Sequence, residues 1–362
     1  MQSRNMIQAN TVVFSALDEY CQRRGEPLSN AGKPRWITTD KPGKAFLKFA
    51  TLVHALPFST SVKIARFDFY NRAFFVTTGL DVPEAPGVFQ VEDLDGGRLT
   101  AVLSELKPTP IVLPSQIRDI VEVADKESSS NYEGHDYQLL SGLYPKIQVF
   151  SVVDLLTEES FKMFFLICLA DRRRIDQWID EQLATVLNMI AELSPAHIPF
   201  QILCRSVLDM DPSALFLSLY RCLEALYAHT QTQRLMTALN ISKPWVEMAE
   251  TLETTLGWYP REEPSLEALL GHAVGYDLQA TAAALNDPIP ADARSEPYVA
   301  KRIYQLRNAL VHYRPFNQKF SFKEVDWNRL CETMALLVFH IYGEINKGWQ
   351  PQTNSANPIS QT

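Results

Sequence analysis

The sequence lacks the cysteine patterns that mark a disulfide framework or a thiolate zinc site. It has five cysteines in 362 residues, an odd number, and none of them forms a C-x-x-C pair. Disulfide scaffolds use paired cysteines, and structural zinc sites use closely spaced ones. We therefore expect five ordinary buried thiols in a reducing compartment.

Long hydrophobic runs are also missing. The longest apolar run covers residues 163–170, which is eight residues, whereas a helix that crosses a bilayer needs roughly 20. Asn, Gln and Asp interrupt the first 20 residues, so no apolar core of a signal peptide is visible there. The sequence predicts a cytoplasmic protein with no membrane partner.

Positive charge is scarce overall, and the common catalytic motifs are absent. The formal net charge is −8, from 34 basic and 42 acidic residues, which disfavours non-specific binding of nucleic acid. There is no Walker A loop, G-x-G-x-x-G, H-E-x-x-H or G-x-S-x-G motif. Any nucleic-acid site must therefore be local, and no cofactor or metal is predicted.

The N-terminal half contains short β-branched and aromatic runs separated by Pro and Gly. This pattern predicts an α+β domain over residues 1–195 with a helical end. The predicted strands are 62–70, 73–78, 88–91, 99–103 and 147–153. Residues 161–169 are a further candidate strand, with a helix left open, while 93–97 is predicted to be a turn and 124–137 a mobile loop.

The C-terminal half changes to helical periodicity, which predicts an all-α domain over residues 196–347. A helix from 174 should end at Ser194 and Pro195, and Ser295 should cap a helix that runs to Tyr313. The other predicted helices are 214–229, 245–256, 266–273, 278–285 and 327–346, of which the three short ones are interpreted as an insertion. The last helix should be deeply buried, and the polar tail 348–362 disordered.

One helix combines local positive charge with an arginine and a histidine. Helical geometry places an apolar stripe opposite a polar face. The apolar stripe is Val299, Ile303, Leu306, Leu310 and Tyr313, and the polar face is Lys301, Tyr304, Arg307, Asn308 and His312. Residues 294–323 hold seven basic residues against one acid, while 209–292 hold 12 acids against four basic residues. Arginine in such a patch offers a phosphate a planar, bidentate donor.

Arg307-Asn308 followed by His312 resembles the R-x(4–6)-H signature of the HEPN superfamily. The predicted helix at 219–227 resembles the preceding helix of that family, especially in its ApeA-like branch. The resemblance covers residues 211–346 and leaves the N-terminal half unexplained. It implies an all-helical domain, a homodimer that brings two Arg/His pairs into one cleft and, in many members, metal-independent RNA cleavage. Similarity to ApeA-like proteins further implies a toxin or effector in anti-phage abortive infection.

The chemistry of RNA cleavage suits these residues. RNA supplies its own nucleophile, the 2′-hydroxyl, so a site needs a base, an acid and positive charge, without a metal. His312 would be the base or the acid, Arg307 would hold the phosphate, and Asn308 would orient one of them. The supporting residues are Glu224, Tyr304, Lys301 and Arg314. The expected partners are RNA, a second copy of the chain, and a phage-derived trigger or inhibitor sensed through residues 1–195.

Other interpretations stay open from the residues alone. The Arg307/His312 face is also compatible with a solvated helix surface, or with an inactive HEPN module that dimerises or binds nucleotide or protein. Glu224 either pairs with Arg307 or is an exposed carboxylate. His340 is interpreted as a core residue and His229 as a capping residue, while His197 has no chemical neighbour in the sequence.

Overall fold

The structure is a computed structural model that describes residues 3–29, 33–127, 132–153, 159–172, 178–193, 197–312 and 325–347. It divides into two compact units, Met1–Gln177 and Trp178–Thr362. This division precedes the predicted boundary at 195, because the helix at 181–192 packs against the last helix of the chain. The predicted tail at 348–362 lies outside the described residues.

The first unit is an α+β fold with one antiparallel sheet in the strand order β1-β2-β3-β5-β4. Its strands are β1 (Thr51–Pro57), β2 (Lys63–Phe69), β3 (Arg72–Thr78), β4 (Gln90–Glu92) and β5 (Ile147–Val153). Its helices are α1 (Met6–Gln22), α2 (Lys41–Phe49), α3 (Gly96–Leu106), α4 (Pro114–Glu127), α5 (Tyr137–Ser141) and α6 (Ser160–Leu169). The coarse α+β expectation for this half is thereby confirmed.

Both faces of the sheet are covered, which explains why its central strands read as continuous apolar runs. The Phe74 ring of β3 meets Phe46 of α2 at 5.1 Å on one face. The neighbouring Phe75 ring meets Phe164 of α6 at 5.8 Å on the other face. Side chains alternate across a strand, so a strand between two packed layers loses the alternation of apolar and polar residues.

One predicted strand is wrong, and the segment for which both a strand and a helix were open is a helix. Residues 99–103 belong to helix α3, and residues 161–169 belong to helix α6. The predicted turn at 93–97 leads into α3, whose first residues are Gly96 and Gly97; Asp95 caps the helix, and its Oδ1 accepts a hydrogen bond from Arg98 N at 2.8 Å. Helix α3 lies between two apolar clusters, so residues all around it are buried and its helical period is hidden.

The remaining predictions for this unit are mixed. The strands at 62–70, 73–78 and 147–153 are confirmed by β2, β3 and β5, and the one at 88–91 overlaps the short β4. The sequence patterns did not indicate β1 or the helices α1, α2 and α4. Helix α4 extends into the predicted loop at 124–137, of which residues 128–131 lie outside the described part of the chain.

The second unit is helical throughout its described residues. Its helices are α7 (Glu181–Glu192), α8 (Phe200–Val207), α9 (Pro212–Glu224), α10 (His229–Leu239), α11 (Trp245–Leu256), α12 (Glu262–Leu270), α13 (Gly275–Ala284), α14 (Ser295–Val311) and α15 (Trp327–Lys347). Asp180 caps α7 through a 2.9 Å hydrogen bond from Leu183 N, and residues 174–177 of the helix predicted from 174 lie outside the described part of the chain.

Helix α15 lies at the centre of the second unit. It packs against α7, α9 and α13, and a continuous set of its side chains is buried: Leu330, Cys331, Met334, Ala335, Leu337, Val338, Ile341 and Tyr342. This confirms the prediction of a deeply buried last helix. Helices α12 and α13 are not an insertion, since α12 packs against α14 and α13 packs against both α14 and α15.

His340 of α15 is not a core residue. Its side chain is 35% exposed, and its Nδ1 lies 2.6 Å from Oδ2 of Asp277, which is 3% exposed. A buried carboxylate is costly unless it is hydrogen-bonded. This contact therefore joins α13 to α15 through a polar pair at the edge of an apolar interface.

All five cysteines are buried and free. Burial raises the pKa of the Cys222 and Cys331 thiols, which makes both poor nucleophiles at neutral pH. Across the described residues, no helix combines the length and the apolar content that crossing a membrane requires.

Substitution of Gly97 by alanine should destabilise the first unit. A Cβ atom at Gly97 would lie 2.0 Å from the backbone oxygen of Gly43, where α2 and α3 meet, so the helices must separate. We expect Gly97→Ala to lower the free energy of unfolding by about 1–3 kcal/mol, measured by urea titration. Gly87→Ala is the control, because a Cβ atom added at Gly87 would have no other atom within 4 Å, and equal effects of the two variants would contradict the close approach.

Removal of the His340 imidazole should destabilise the second unit, because Asp277 then loses its hydrogen-bond partner in a buried position. We expect His340→Ala to lower the free energy of unfolding by about 1.5–3 kcal/mol. Arg329→Ala is the control, since Arg329 pairs with Glu332 on the same helix but is 42% exposed, and such a pair contributes about 0–1 kcal/mol. Thermal or urea unfolding that ranks the two variants equally would refute this role of His340.

Candidate functional site

Helix α14 carries the predicted site residues, and four of its apolar residues face the core. Val299, Ala300, Ile303 and Leu306 are buried, which confirms most of the predicted stripe. Leu310 is only half-buried, and Tyr313 lies outside the described residues. Ser295 is the first residue of the helix rather than its cap, since Arg294 holds the cap position without a side-chain hydrogen bond.

His312 does not belong to the helix. The helix ends at Val311, and His312 is its C-terminal cap with an extended backbone (φ −110°, ψ 111°). Its N–H donates to the carbonyl oxygen of Asn308 at 2.9 Å, and its side chain is exposed. The helix thus ends before the predicted Tyr313, and His312 occupies its C-terminal cap instead of a helical position.

Arg307 is held between two carboxylates from two other helices. Its guanidinium lies 3.6 Å from Glu224 Oε1 at the end of α9 and 3.6 Å from Glu262 Oε2 at the start of α12. Its Nη1 also donates to Asn308 Oδ1 at 2.9 Å. The Arg307 side chain is 19% exposed, so the position of its charge is fixed by three neighbours.

The cluster around Arg307 is apolar on one side and acidic on the other. The guanidinium carbon lies 5.7 Å from the centre of the Tyr220 ring, and the Tyr220 and Tyr227 rings meet edge to face at 6.3 Å. Burial raises the pKa of Tyr220 to about 12 and raises that of Tyr227 as well. Both hydroxyls therefore stay protonated at neutral pH, and the ionised groups are one arginine and two glutamates.

The electrostatics of Glu224 follow from this arrangement. Burial raises the pKa of its carboxyl group; Arg307 opposes the shift, and Glu262 adds to it. Glu262 Oε2 is itself buried and accepts no hydrogen bond within the described part of the chain. A phosphate that approaches Arg307 would meet these two acids, and it must displace at least one of them to reach both guanidinium nitrogens.

The other predicted residues lie outside this cluster. Lys301 is exposed and Tyr304 is half-buried; among the described contacts, neither forms a hydrogen bond or ion pair with Arg307. Arg314 lies outside the described residues. The structure thus brings together Arg307, Asn308 and Glu224, leaves His312 one turn further along the chain, and adds Glu262, which no local pattern in the sequence indicates.

The local positive charge of α14 is largely paired. Arg294 approaches Glu267, Arg302 pairs with Asp287, and Arg307 approaches Glu224 and Glu262. All four acids come from the acid-rich stretch at 209–292. That stretch therefore pairs with three of the four described basic residues of the predicted patch, and Lys301 is the one that has no acidic partner among them. The other three basic residues of the patch, at 314, 319 and 323, lie outside the described part of the chain.

Within the described residues, no group of three or more His, Cys, Asp or Glu side chains is arranged to hold a metal ion. The Arg307 cluster and the nearby His312 offer electrostatic binding by the guanidinium and proton transfer by Glu224 or by the exposed His312 imidazole.

Replacement of Glu224 by glutamine should remove a pH-dependent destabilisation. Because the pKa of Glu224 is raised in the folded chain, its ionisation favours unfolding, and wild-type stability should fall as pH rises from about 4.3, the reference value for glutamate, through the raised value. The free energy of unfolding of Glu224→Gln minus that of wild type should therefore increase between pH 4 and pH 7.

Urea unfolding at both pH values measures this difference, and Glu253→Gln is the control. Glu253 is exposed on α11 and forms no ion pair among the described residues, so Glu253→Gln makes the same chemical change without a buried or paired carboxylate. A Glu224→Gln variant that becomes less stable relative to wild type as pH rises would mean that the attraction to Arg307 outweighs burial.

A comparison of the chain with known families found no family model that matches it. No significant match was found among curated proteins or solved structures either. The resemblance to the HEPN superfamily therefore depends on the Arg307–His312 motif and the helix at 219–227.

Proposed function

We propose that the second unit is a metal-independent endoribonuclease of the HEPN type. Arg307 would bind the scissile phosphate, and His312 would transfer the proton. The observation that supports this most directly is the end of α14: Arg307 is anchored on Asn308 at 2.9 Å, and the exposed His312 caps the same helix by its N–H bond to Asn308. Arg307 and His312 are thus both hydrogen-bonded to Asn308 at the end of the same helix.

The proposed reaction needs no group beyond RNA and these side chains. A base removes the proton of the 2′-hydroxyl, the oxygen attacks phosphorus, and the bond from phosphorus to the 5′-oxygen breaks. An acid then protonates the leaving 5′-oxygen, which leaves a cyclic phosphate on the other fragment. Arg307 would stabilise the added negative charge on the phosphorane.

One copy of His312 supplies only one of the two proton-transfer roles. A second copy of the chain, related by a two-fold axis through α14, would supply the other imidazole. The exposed His312 and the half-exposed Val311 leave the end of this helix accessible for such a contact. We therefore propose a homodimer as the cleaving species.

The first unit is proposed to sense a trigger or restrain the activity of the second. The resemblance to ApeA-like proteins further supports a role as a cytoplasmic effector in anti-phage defence, with a phage-derived molecule as the trigger.

A non-catalytic interaction module is the second candidate, and the pairing of Arg307 favours it. Two carboxylates at 3.6 Å already compensate the guanidinium charge. In this case Arg307 would connect α14 to α9 and α12 through its two ion pairs. The C-terminal end of α14 would then serve only dimerisation, nucleotide binding or protein binding.

Cleavage of total RNA in EDTA separates the two candidates. We expect His312→Ala to lower the cleavage rate by about 100-fold or more with an unchanged melting temperature, because the imidazole is exposed. Arg307→Lys should also lose most activity, since lysine keeps the charge but not the bidentate geometry. Arg205→Lys is the matched control, because Arg205 is exposed on α8 and forms no ion pair within the described residues.

Sedimentation of the same variants completes the test. An intact dimer that cleaves no RNA under any activating condition, together with an Arg307→Lys variant that is less stable or loses the dimer, would favour the interaction module. Full cleavage by Arg307→Lys would remove Arg307 from the proposed centre.

A further inference from the structure

A separate cavity in the second unit collects residues that are far apart in the sequence. Its volume is about 570 Å³, within the range of small-molecule sites. Its polar lining includes His197, His229, His272, Lys243 and Gln233, and Trp245 supplies an aromatic wall. None of these residues belongs to the Arg307 cluster.

The imidazoles surround the indole ring of Trp245. His197 and His229 meet it at 5.5 and 5.4 Å between ring centres, both at steep angles, and His229 lies 6.1 Å from His272. His229 is thus a lining residue at the start of α10, and its interpretation as a capping residue is wrong. His197, which has no chemical neighbour in the sequence, shares the cavity with Trp245 and two further imidazoles in the structure.

The backbone at His197 is held in an unusual conformation. Its φ is +87°, a region that non-glycine residues occupy at an energetic cost. The hydroxyl of the buried Tyr342, which also lines the cavity, shares its proton between the carbonyl oxygens of Cys222 at 2.9 Å and His197 at 3.3 Å. The central helix α15 therefore fixes the loop that carries this imidazole.

The hydrogen-bonding capacity of the three imidazoles is unused. Among the described residues, none of their ring nitrogens has a hydrogen-bond partner, and Nδ1 of His229 is also buried. Burial lowers the pKa of His197 and His229, so both are neutral at pH 7. Each neutral ring then offers one donor and one acceptor.

The charge of the cavity depends on two lining residues, Lys243 and Glu344. Lys243 is exposed there and pairs with no acid among the described residues. Glu344 also lines the cavity, but it is engaged in another interaction. One unpaired ammonium beside the neutral imidazoles of His197 and His229 suits one negative charge. Leu226, Val246 and Ile345 add apolar surface to the aromatic wall.

We propose that this cavity binds a small aromatic carboxylate, with its ring against Trp245 and the apolar wall and its carboxylate between Lys243 and the imidazole and Gln233 N–H donors. A monoanion is favoured over a phosphate dianion, because a second buried charge would have no unpaired cation to compensate it. The site shares no residue with the proposed ribonuclease centre, so this proposal can be tested independently of that function.

Isothermal titration of the full chain with 2-naphthoate tests the proposal. We expect saturable binding of one molecule per chain, at least tenfold weaker binding to Lys243→Gln and to Trp245→Ala, and unchanged binding to Lys44→Gln. Lys44 is an exposed lysine of the first unit, so this control makes the same chemical change elsewhere. Lys243→Gln alters an exposed side chain, and so it tests the charge without opening the core.

Three further probes decide which property of the ligand matters. Uncharged 2-naphthamide should bind at least tenfold more weakly than the carboxylate, and inorganic phosphate and Zn²⁺ should not compete with it. If the amide binds as tightly as the carboxylate, the cavity recognises only apolar surface and the proposed carboxylate site is wrong. Competition by phosphate or Zn²⁺ would show that the cavity binds a simple ion and would also contradict the proposal. No saturable binding of naphthoate, or binding that survives both Lys243→Gln and Trp245→Ala, would overturn the proposal.

Discussion

Burial of helix α15 is the constraint on which the second unit depends. Its apolar residues are packed from Leu330 to Tyr342 against α7, α9 and α13, so the few polar groups on that surface need partners at fixed positions. His340 is hydrogen-bonded to the buried Asp277, and the Tyr342 hydroxyl donates chiefly to the carbonyl oxygen of Cys222 at 2.9 Å, with that of His197 at 3.3 Å. A single apolar interface therefore also positions a polar pair and one wall of the histidine-lined cavity.

The second organising interaction is the pairing of a basic helix with an acidic stretch. Helix α14 and its N-terminal cap Arg294 carry the arginines, and the preceding helices and loops supply Glu224, Glu262, Glu267 and Asp287. The exposed pairs among these contribute little to stability. Arg307 differs because it is mostly buried, and its two carboxylates come from different helices, so it couples the orientation of α9 and α12 to that of α14.

The sequence predicts these features to an unequal extent. Central strands and the last helix carry continuous apolar runs or strong periodicity, and these signals predict them correctly. Helices α3 and α6 resemble strands in sequence, since burial on several sides removes the periodic signal that separates a helix from a strand. Of the site, Arg307, Asn308 and the option of a Glu224 pair are predictable, whereas Glu262 and the meeting of His197, His229 and His272 depend on tertiary contacts that no local spacing encodes.

The geometry of Arg307 has a consequence for any reaction at this helix. A guanidinium that is already compensated by two carboxylates gains little from a phosphate unless a carboxylate withdraws or takes up a proton. The raised pKa of Glu224 lowers the free-energy cost of protonating that carboxylate. Withdrawal of a carboxylate also costs less, because the 3.6 Å separations are longer than charge-assisted hydrogen bonds of about 2.7–2.9 Å. In the proposed ribonuclease, the same carboxylates that hold Arg307 in position would therefore compete with the phosphate. A movement of α9 or α12 relative to α14 is the step that would convert a structural arginine into a phosphate-binding one.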